Sequence, residues 1–362
     1  MRVAIVIERF GGSGGVEASA LQLVRELARR QVLVTVICRE ARDPLPKGVS
    51  QVALRSSSAW QPLRVRRFSR RAAEATRGRF DIVHSFSRTR HQQIYRVGGG
   101  SHAAYMERMY RRPGLLRALS PRHRAILSIE EAVFRDQGQL IQCNARWVAD
   151  ELRARYGVAA ERLVTIYNGV DGERFHPRMR AQHRTRIRQA LGVAGPLALF
   201  VGSGFERKGL DLAIRGLAES AVEADLAVVG AGNASPFRRL AAQLGVAERV
   251  HFTGPRSDVE ALHAAADLFV LPTRYDAFSN ACLEAMASGL PVATTPANGA
   301  SELLEPGVNG FVCSRDFAPA FDALRDLAGL EKLGEAARRT AEELTWQVHA
   351  DRVLDLYARV HP

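Results

Sequence analysis

Lysine is nearly absent from this 362-residue chain, occurring only at Lys47, Lys208 and Lys332, while lysine and arginine together number 51. A lysine retained inside a motif therefore stands out. Cysteine is sparse as well: Cys38, Cys143, Cys282 and Cys313 are scattered without a C-x-x-C pair, so neither a zinc site nor a disulfide framework is suggested. A reducing, cytoplasmic setting is the simple expectation. No segment approaches the roughly 18–20 uninterrupted apolar residues of a membrane-spanning helix. The opening MRVAIVIERF has one basic residue and a short β-branched run that ends in charge, which reads as a buried strand and not as a signal peptide. Aromatics are only 7% and no nucleic-acid recognition motif occurs, which weighs against a nucleic-acid-binding protein despite a formal charge of +13. That charge fits an anionic membrane surface, an anionic substrate, or simply a GC-rich genome.

What is present is enough apolar mass, 46% of residues, for two domains. The first half opens with a strand (Val3 to Ile7), a glycine loop (Gly11 to Gly15), a helix carrying Leu21, Val24, Leu27 and Ala28, and a second strand from Val32 to Ile37. Such a βαβ unit belongs in a parallel sheet. The second half repeats the plan with Leu197 to Val201, a Gly202-Ser-Gly204 turn, and a helix carrying Leu210, Ala213, Ile214 and Leu217. The alternation predicts an α/β protein with two doubly wound, Rossmann-like domains. The polar, basic stretch 171–189 reads as a linker. It separates an N-terminal domain (1–180) from a C-terminal domain (190–345). A final helix (346–362) is free to pack back on the first.

In open α/β sheets, ligands bind beyond the carboxyl ends of the strands, where helix N-termini offer free N–H groups. Three loops qualify. In Gly11-Gly-Ser-Gly-Gly-Val-Glu17, Gly14 and Gly15 allow close approach of an anion; a dinucleotide site competes, but the third glycine of G-x-G-x-x-G falls at Glu17. In Gly202-Ser-Gly-Phe-Glu-Arg-Lys-Gly209, which includes Gly204, Arg207 and Lys208 pair a bidentate fork with a compact charge, a match to a diphosphate. In the stretch 275–291, Asp276 and Glu284 are placed to hold sugar hydroxyls. The backbone around Phe278, Ser279 and Asn280 is placed to meet a phosphate.

At this third loop the sequence resembles the retaining glycosyltransferases of family 4. Asp276 and Glu284, with seven residues between them and followed by Ala-Met-Ala-Ser-Gly-Leu-Pro-Val, are similar to the family's E-x7-E signature. The Gly-Gly-Val-Glu17, Tyr-Asn-Gly-Val-Asp171 and Arg207-Lys208 stretches are similar to its other landmarks, in the same order. The resemblance covers essentially the whole chain. It implies the GT-B fold, with two domains facing each other across a cleft, a nucleotide-diphosphate-sugar donor, retention of anomeric configuration, and neither a metal nor another cofactor. It also implies roles: Arg207 and Lys208 on the diphosphate, Gly14 and Gly15 beside it, Glu284 on the ribose, Asp276 on the transferred sugar, and His102 near the reacting carbon. Asp276 departs from the usual glutamate by one methylene.

Within the family, the stretch from Tyr275 to Glu284 is similar to the lipopolysaccharide-core glucosyltransferases. That likeness implies UDP-glucose as donor and an anionic, lipid-linked glycan as acceptor, with no nucleic acid. GDP-mannose or UDP-GlcNAc acting on another glycan is the alternative. Arginines interleaved with apolar residues over 106–127 (Arg108, Arg111, Arg112, Arg117, Arg122, Arg124) suit peripheral contact with the inner face of the cytoplasmic membrane, and Arg64, Arg66, Arg67, Arg70 and Arg71 form a second basic cluster. An NAD-dependent oxidoreductase shares the domain type but gives no reason for pairing Arg207-Lys208 with two carboxylates.

Overall fold

The protein is described by a computed structural model that covers residues 1–12, 14–54, 60–110, 114–115 and 119–361. The chain forms two compact units, Met1–Gly169 with Trp346–Pro362, and Val170–Thr345.

The first unit is built on seven strands: β1 (Arg2–Phe10), β2 (Leu33–Ala41), β3 (Ser50–Ala53), β4 (Ile82–Ser85), β5 (Ile94–Val97), β6 (Leu140–Cys143) and β7 (Leu163–Thr165). Their order is β3-β2-β1-β4-β5-β6-β7, and every pairing is parallel. Val3, Ala4, Ile5 and Val6 are all buried, because helices cover both faces of such a sheet. One face receives Leu23, Val24 and Leu27 of the helix Gly15–Arg29. The same core takes Val353, Leu356 and Tyr357 from the helix Trp346–Ala358, so the last helix completes the first unit. Tyr357 also ties itself to the sheet through a 2.9 Å hydrogen bond between its hydroxyl and His84 Nδ1.

The second unit has β8 (Leu197–Val201), β9 (Asp225–Val229), β10 (Val250–Gly254), β11 (Leu268–Leu271), β12 (Val292–Thr294) and β13 (Gly310–Val312). The order β10-β9-β8-β11-β12-β13, again all parallel, is the doubly wound 3-2-1-4-5-6 arrangement. The strand order reverses between β8 and β11. Both strands end there in the loops that carry Arg207-Lys208 and Asp276.

The linker expected over 171–189 is instead part of the second unit, and the boundary lies at Gly169/Val170, ahead of 180–190. Its second half is the helix Met179–Leu191. Arg180, Arg184 and Arg188 recur every four residues, so they share one helix face. All three reach the buried carboxylate of Asp267, at 3.4, 2.7 and 3.3 Å. A basic stretch that looks solvated in sequence is thus anchored by one acid. Among the described residues no helix is long and apolar enough to cross a membrane.

Leu356 is 1% exposed within the first unit's core. Leu356→Ala is expected to cost about 2–5 kcal/mol in urea unfolding, the range for a deleted core leucine. A change below about 0.5 kcal/mol, the level of ordinary surface substitutions, would show that the last helix is not integral to that core.

Candidate functional site

The second unit's site begins with a glycine. Gly209 has φ +73°, and a Cβ there would lie 1.9 Å from the carbonyl oxygen of Pro272. Only glycine permits both the backbone conformation and the contact. The loop after β8 therefore lies directly on the loop after β11. Hydrogen bonds fix the contact: the Arg207 carbonyl accepts from Arg274 N–H at 2.8 Å and from the Thr273 hydroxyl at 3.1 Å. Arg274 is itself held by Asp211 at 2.7 Å.

This contact brings the two predicted cations to the first predicted carboxylate. Lys208 Nζ donates to Asp276 Oδ2, and the Arg207 guanidinium reaches the same oxygen at 3.5 Å and the Tyr275 carbonyl at 3.1 Å. The Lys208 stem lies over Gly202, where a Cβ would come within 3.1 Å of it. Burial alone raises the Asp276 carboxyl, but Lys208 and Arg207 outweigh burial and hold it below the ordinary aspartate value. Both bonds go to Oδ2, which leaves Oδ1 without a protein donor among the described residues.

Glu284 lies in the helix Asn280–Ala287, and its carboxylate makes no hydrogen bond among the described residues. Burial pushes its carboxyl up to about 7; Arg174 and Lys208 oppose the rise and Glu260 adds to it. Arg174 is pinned to Glu260 at 2.7 Å. The backbone expected to meet a phosphate is partly spent. The Ser279 N–H donates to Asn298 Oδ1 at 3.1 Å, an oxygen that also accepts from Ala300 N–H at 3.1 Å. Phe278 and Ser279 are both buried. Gly204, at φ +75°, opens the one-turn helix Phe205–Lys208, and its own N–H donates to the Ala231 carbonyl at 3.1 Å.

In the first unit, Gly14 caps and Gly15 opens the helix Gly15–Arg29. The left-handed positions are Gly11 and Gly12, and the Gly12 N–H donates to Asp43 Oδ2 at 2.7 Å. Ser13 lies outside the described residues, as do Arg111, Arg112, Leu116 and Arg117 of the basic 106–127 stretch.

His102 follows β5 at the start of the helix His102–Met109. Its N–H donates to both oxygens of Glu130, each at 3.0 Å, and Arg88 pairs with that carboxylate at 3.4 Å. Its ring Nε2 shares a 2.8 Å hydrogen bond with His123 Nδ1. Burial, with help from Arg88, His123 and Arg122, depresses the His102 pKa to about 3. The imidazole is therefore neutral at physiological pH. Sequence reading missed His123 and Glu130. Their signal was polar residues seven apart on the buried face of the helix Pro121–Arg135.

With its two all-parallel sheets, the protein is a glycosyltransferase of the GT-B fold. The protein belongs to glycosyltransferase family 4. Residues 13–174 match the model described as Glycosyltransferase Family 4, and residues 195–329 match Glycosyl transferases group 1. D-inositol 3-phosphate glycosyltransferase of Geodermatophilus obscurus is 30% identical over 390 residues, covering 96% of this chain and 85% of that protein. The lipopolysaccharide glucosyltransferase WaaG of Escherichia coli is 34% identical over 223 residues, 59% of each chain. A crystal structure of WaaG, described as a glycosyltransferase involved in lipopolysaccharide biosynthesis, superposes with a TM-score of 0.85 at 24% identity, covering 98% of this chain and 99% of that one. Anabaena Alr3699/HepE in complex with UDP-glucose gives 0.75 at 18% identity, covering 99% and 100%.

Asp276→Asn would leave Lys208, whose side chain is 11% exposed, without its counter-charge. Breaking a fully buried pair costs about 3–5 kcal/mol. The partial exposure here lowers the expected loss to about 2–3 kcal/mol in urea unfolding at pH 7. Because the native carboxyl lies below its unfolded value, the wild-type advantage should fade as pH falls through the acidic range, and Asp276→Asn should flatten that decline. An unchanged midpoint in the variant would mean that the pair does not hold the two loops together.

Proposed function

We propose that the protein transfers glucose from UDP-glucose, with retention of configuration, to a phosphorylated, lipid-linked glycan of the lipopolysaccharide-core type. One observation carries the reading: Arg207, Lys208 and Asp276 are gathered at the point where the strand order reverses. Two cations and one carboxylate there match a diphosphate and the sugar attached to it. The name of WaaG supports the acceptor, and the UDP-glucose bound to HepE supports the donor.

In this reading the donor diphosphate lies against Lys208 and Arg207, with Gly14 and Gly15 leaving backbone open to it. Asp276 Oδ1 takes a hydroxyl of the transferred sugar while Oδ2 stays on Lys208. The shorter aspartate serves both purposes. Glu284, ionised, accepts the two ribose hydroxyls. As the bond from the anomeric carbon to the diphosphate oxygen breaks, the acceptor hydroxyl attacks the same face. Its proton passes to the departing phosphate oxygen, giving the glycoside and UDP. Lys208 and Arg207 stabilise the negative charge that grows on the leaving group, which is electrostatic catalysis by preorganised donors. His102 is a neutral hydrogen-bonding partner for the sugar, oriented by His123 and by Glu130 on its backbone. The acceptor lies in the first unit, whose basic 106–127 stretch contacts a membrane surface.

Arg207→Ala and Lys208→Ala are each expected to lower turnover by roughly ten- to a thousandfold, as for loss of one transition-state donor. Turnover is read with a panel of UDP-glucose, UDP-GlcNAc and GDP-mannose on truncated lipopolysaccharide. Wild-type rates in both variants would overturn the assignment.

A second measurement addresses Glu284. Its carboxyl ionises near 7, so UDP-glucose affinity should rise with pH through about 7. Glu284→Gln should abolish that rise, as followed by calorimetry. A pH step that persists in the variant would remove Glu284 from the donor site.

A further inference from the structure

Many of the chain's arginines sit beside carboxylates. Arg180, Arg184 and Arg188 share Asp267, Arg29 and Arg30 share Glu26, and Arg256 faces Asp258. One surface of the first unit instead gathers several arginines around a single carboxylate. A recess of about 620 Å³ is lined by Arg66, Arg70 and Arg77 on one side and by Arg90 and His91 on the other. Its one carboxylate is Glu74, which pairs loosely with Arg70 at 3.6 Å, both side chains being well exposed. Among the described residues, the side chains of Arg66, Arg77 and His91 make no hydrogen bond or ion pair. A smaller hollow of about 270 Å³ continues from it, sharing Arg77, Arg90 and His91.

The recess is shaped by the fold. Arg66 and Arg70 are one turn apart on the helix Gln61–Thr76, roughly 6 Å along its axis, and Arg77 follows about 10 Å further on. Ser69, which is buried, forms part of the floor and accepts the Arg90 N–H at 3.2 Å. The Arg90 guanidinium leans on the Ser128 carbonyl at 3.4 Å, which fixes the far wall. Arg77 precedes β4, and Arg90 and His91 precede β5. The recess therefore opens toward the amino ends of these strands, whereas the loop bearing His102 leaves β5 at its carboxyl end. Four guanidiniums against one carboxylate, spaced a helical turn or more apart, favour several phosphates over one.

We propose that this recess binds a multiply phosphorylated group, at a site separate from the Lys208 cluster. The group is either a phosphorylated lipid headgroup or a free polyphosphate; the guanidinium row recognises both by the same chemistry. The proposal stands whether or not UDP-glucose is the donor.

The test measures tripolyphosphate binding by calorimetry to the whole protein and to three variants. Arg66→Ala/Arg77→Ala is expected to weaken binding at least tenfold. Arg67→Ala/Arg71→Ala removes the same charge from the same helix but outside the recess, and should weaken it less than threefold. Lys208→Ala should retain the recess binding. Equal losses in the two arginine pairs, or wild-type affinity in Arg66→Ala/Arg77→Ala, would overturn the proposal; circular dichroism checks that each variant is folded. Sedimentation with vesicles containing cardiolipin, a lipid that carries two phosphates, separates the two sources. Loss of sedimentation in Arg66→Ala/Arg77→Ala, with displacement by tripolyphosphate, identifies a headgroup. Tripolyphosphate binding without vesicle binding identifies a free anion.

Discussion

The second unit depends on two loops approaching more closely than side chains normally allow. Gly209 lets the turn after β8 rest on the Pro272 carbonyl, and that contact delivers Lys208 and Arg207 to Asp276. The cations are then held by an internal carboxylate before any ligand arrives. A long, flexible lysine would otherwise lose side-chain freedom on binding, and here that loss is taken during folding. The structure thus supplies a rigid, charged corner at the end of two neighbouring strands.

The rest of the charge follows a different logic. Most arginines that leave solvent do so in company: three converge on Asp267, and Arg162 gives its guanidinium to the carbonyls of Gln139, Phe134 and Val133. Arginine suits such work because its planar fork satisfies several acceptors at once. The positive excess left over is uneven, and the helix Gln61–Thr76 carries five arginines against one glutamate.

Much of this was legible in the sequence for identifiable reasons. Fully buried parallel strands read as continuous apolar runs, so β1, β8 and β11 stand out. By contrast β3 is exposed and β7 and β13 are largely half-buried, so they lack the continuous apolar run of a fully buried strand. The Arg207-Lys208 pair was visible because lysine is so rare, and Asp276 because of its spacing from Glu284. The stretch 171–189 misled because polarity alone does not reveal that its arginines share a buried acid. His123 and Glu130 were hidden for a related reason: a polar residue on a helix's inner face looks like noise until the partner across from it is known. The backbone role of Asn298, which takes the Ser279 N–H, leaves no trace in spacing at all.

The first unit is discontinuous, with its final helix encoded after the whole of the second unit. Synthesis on the ribosome proceeds from the N-terminus, so Val3, Ile5 and Leu27 emerge long before Val353, Leu356 and Tyr357, which close the same core. The second unit, continuous from Val170 to Thr345, has every strand it needs while the earlier one still waits with apolar surface uncovered. A chain lacking Trp346–Ala358 therefore keeps every strand of the second unit but leaves the first unit's core without the helix that closes it.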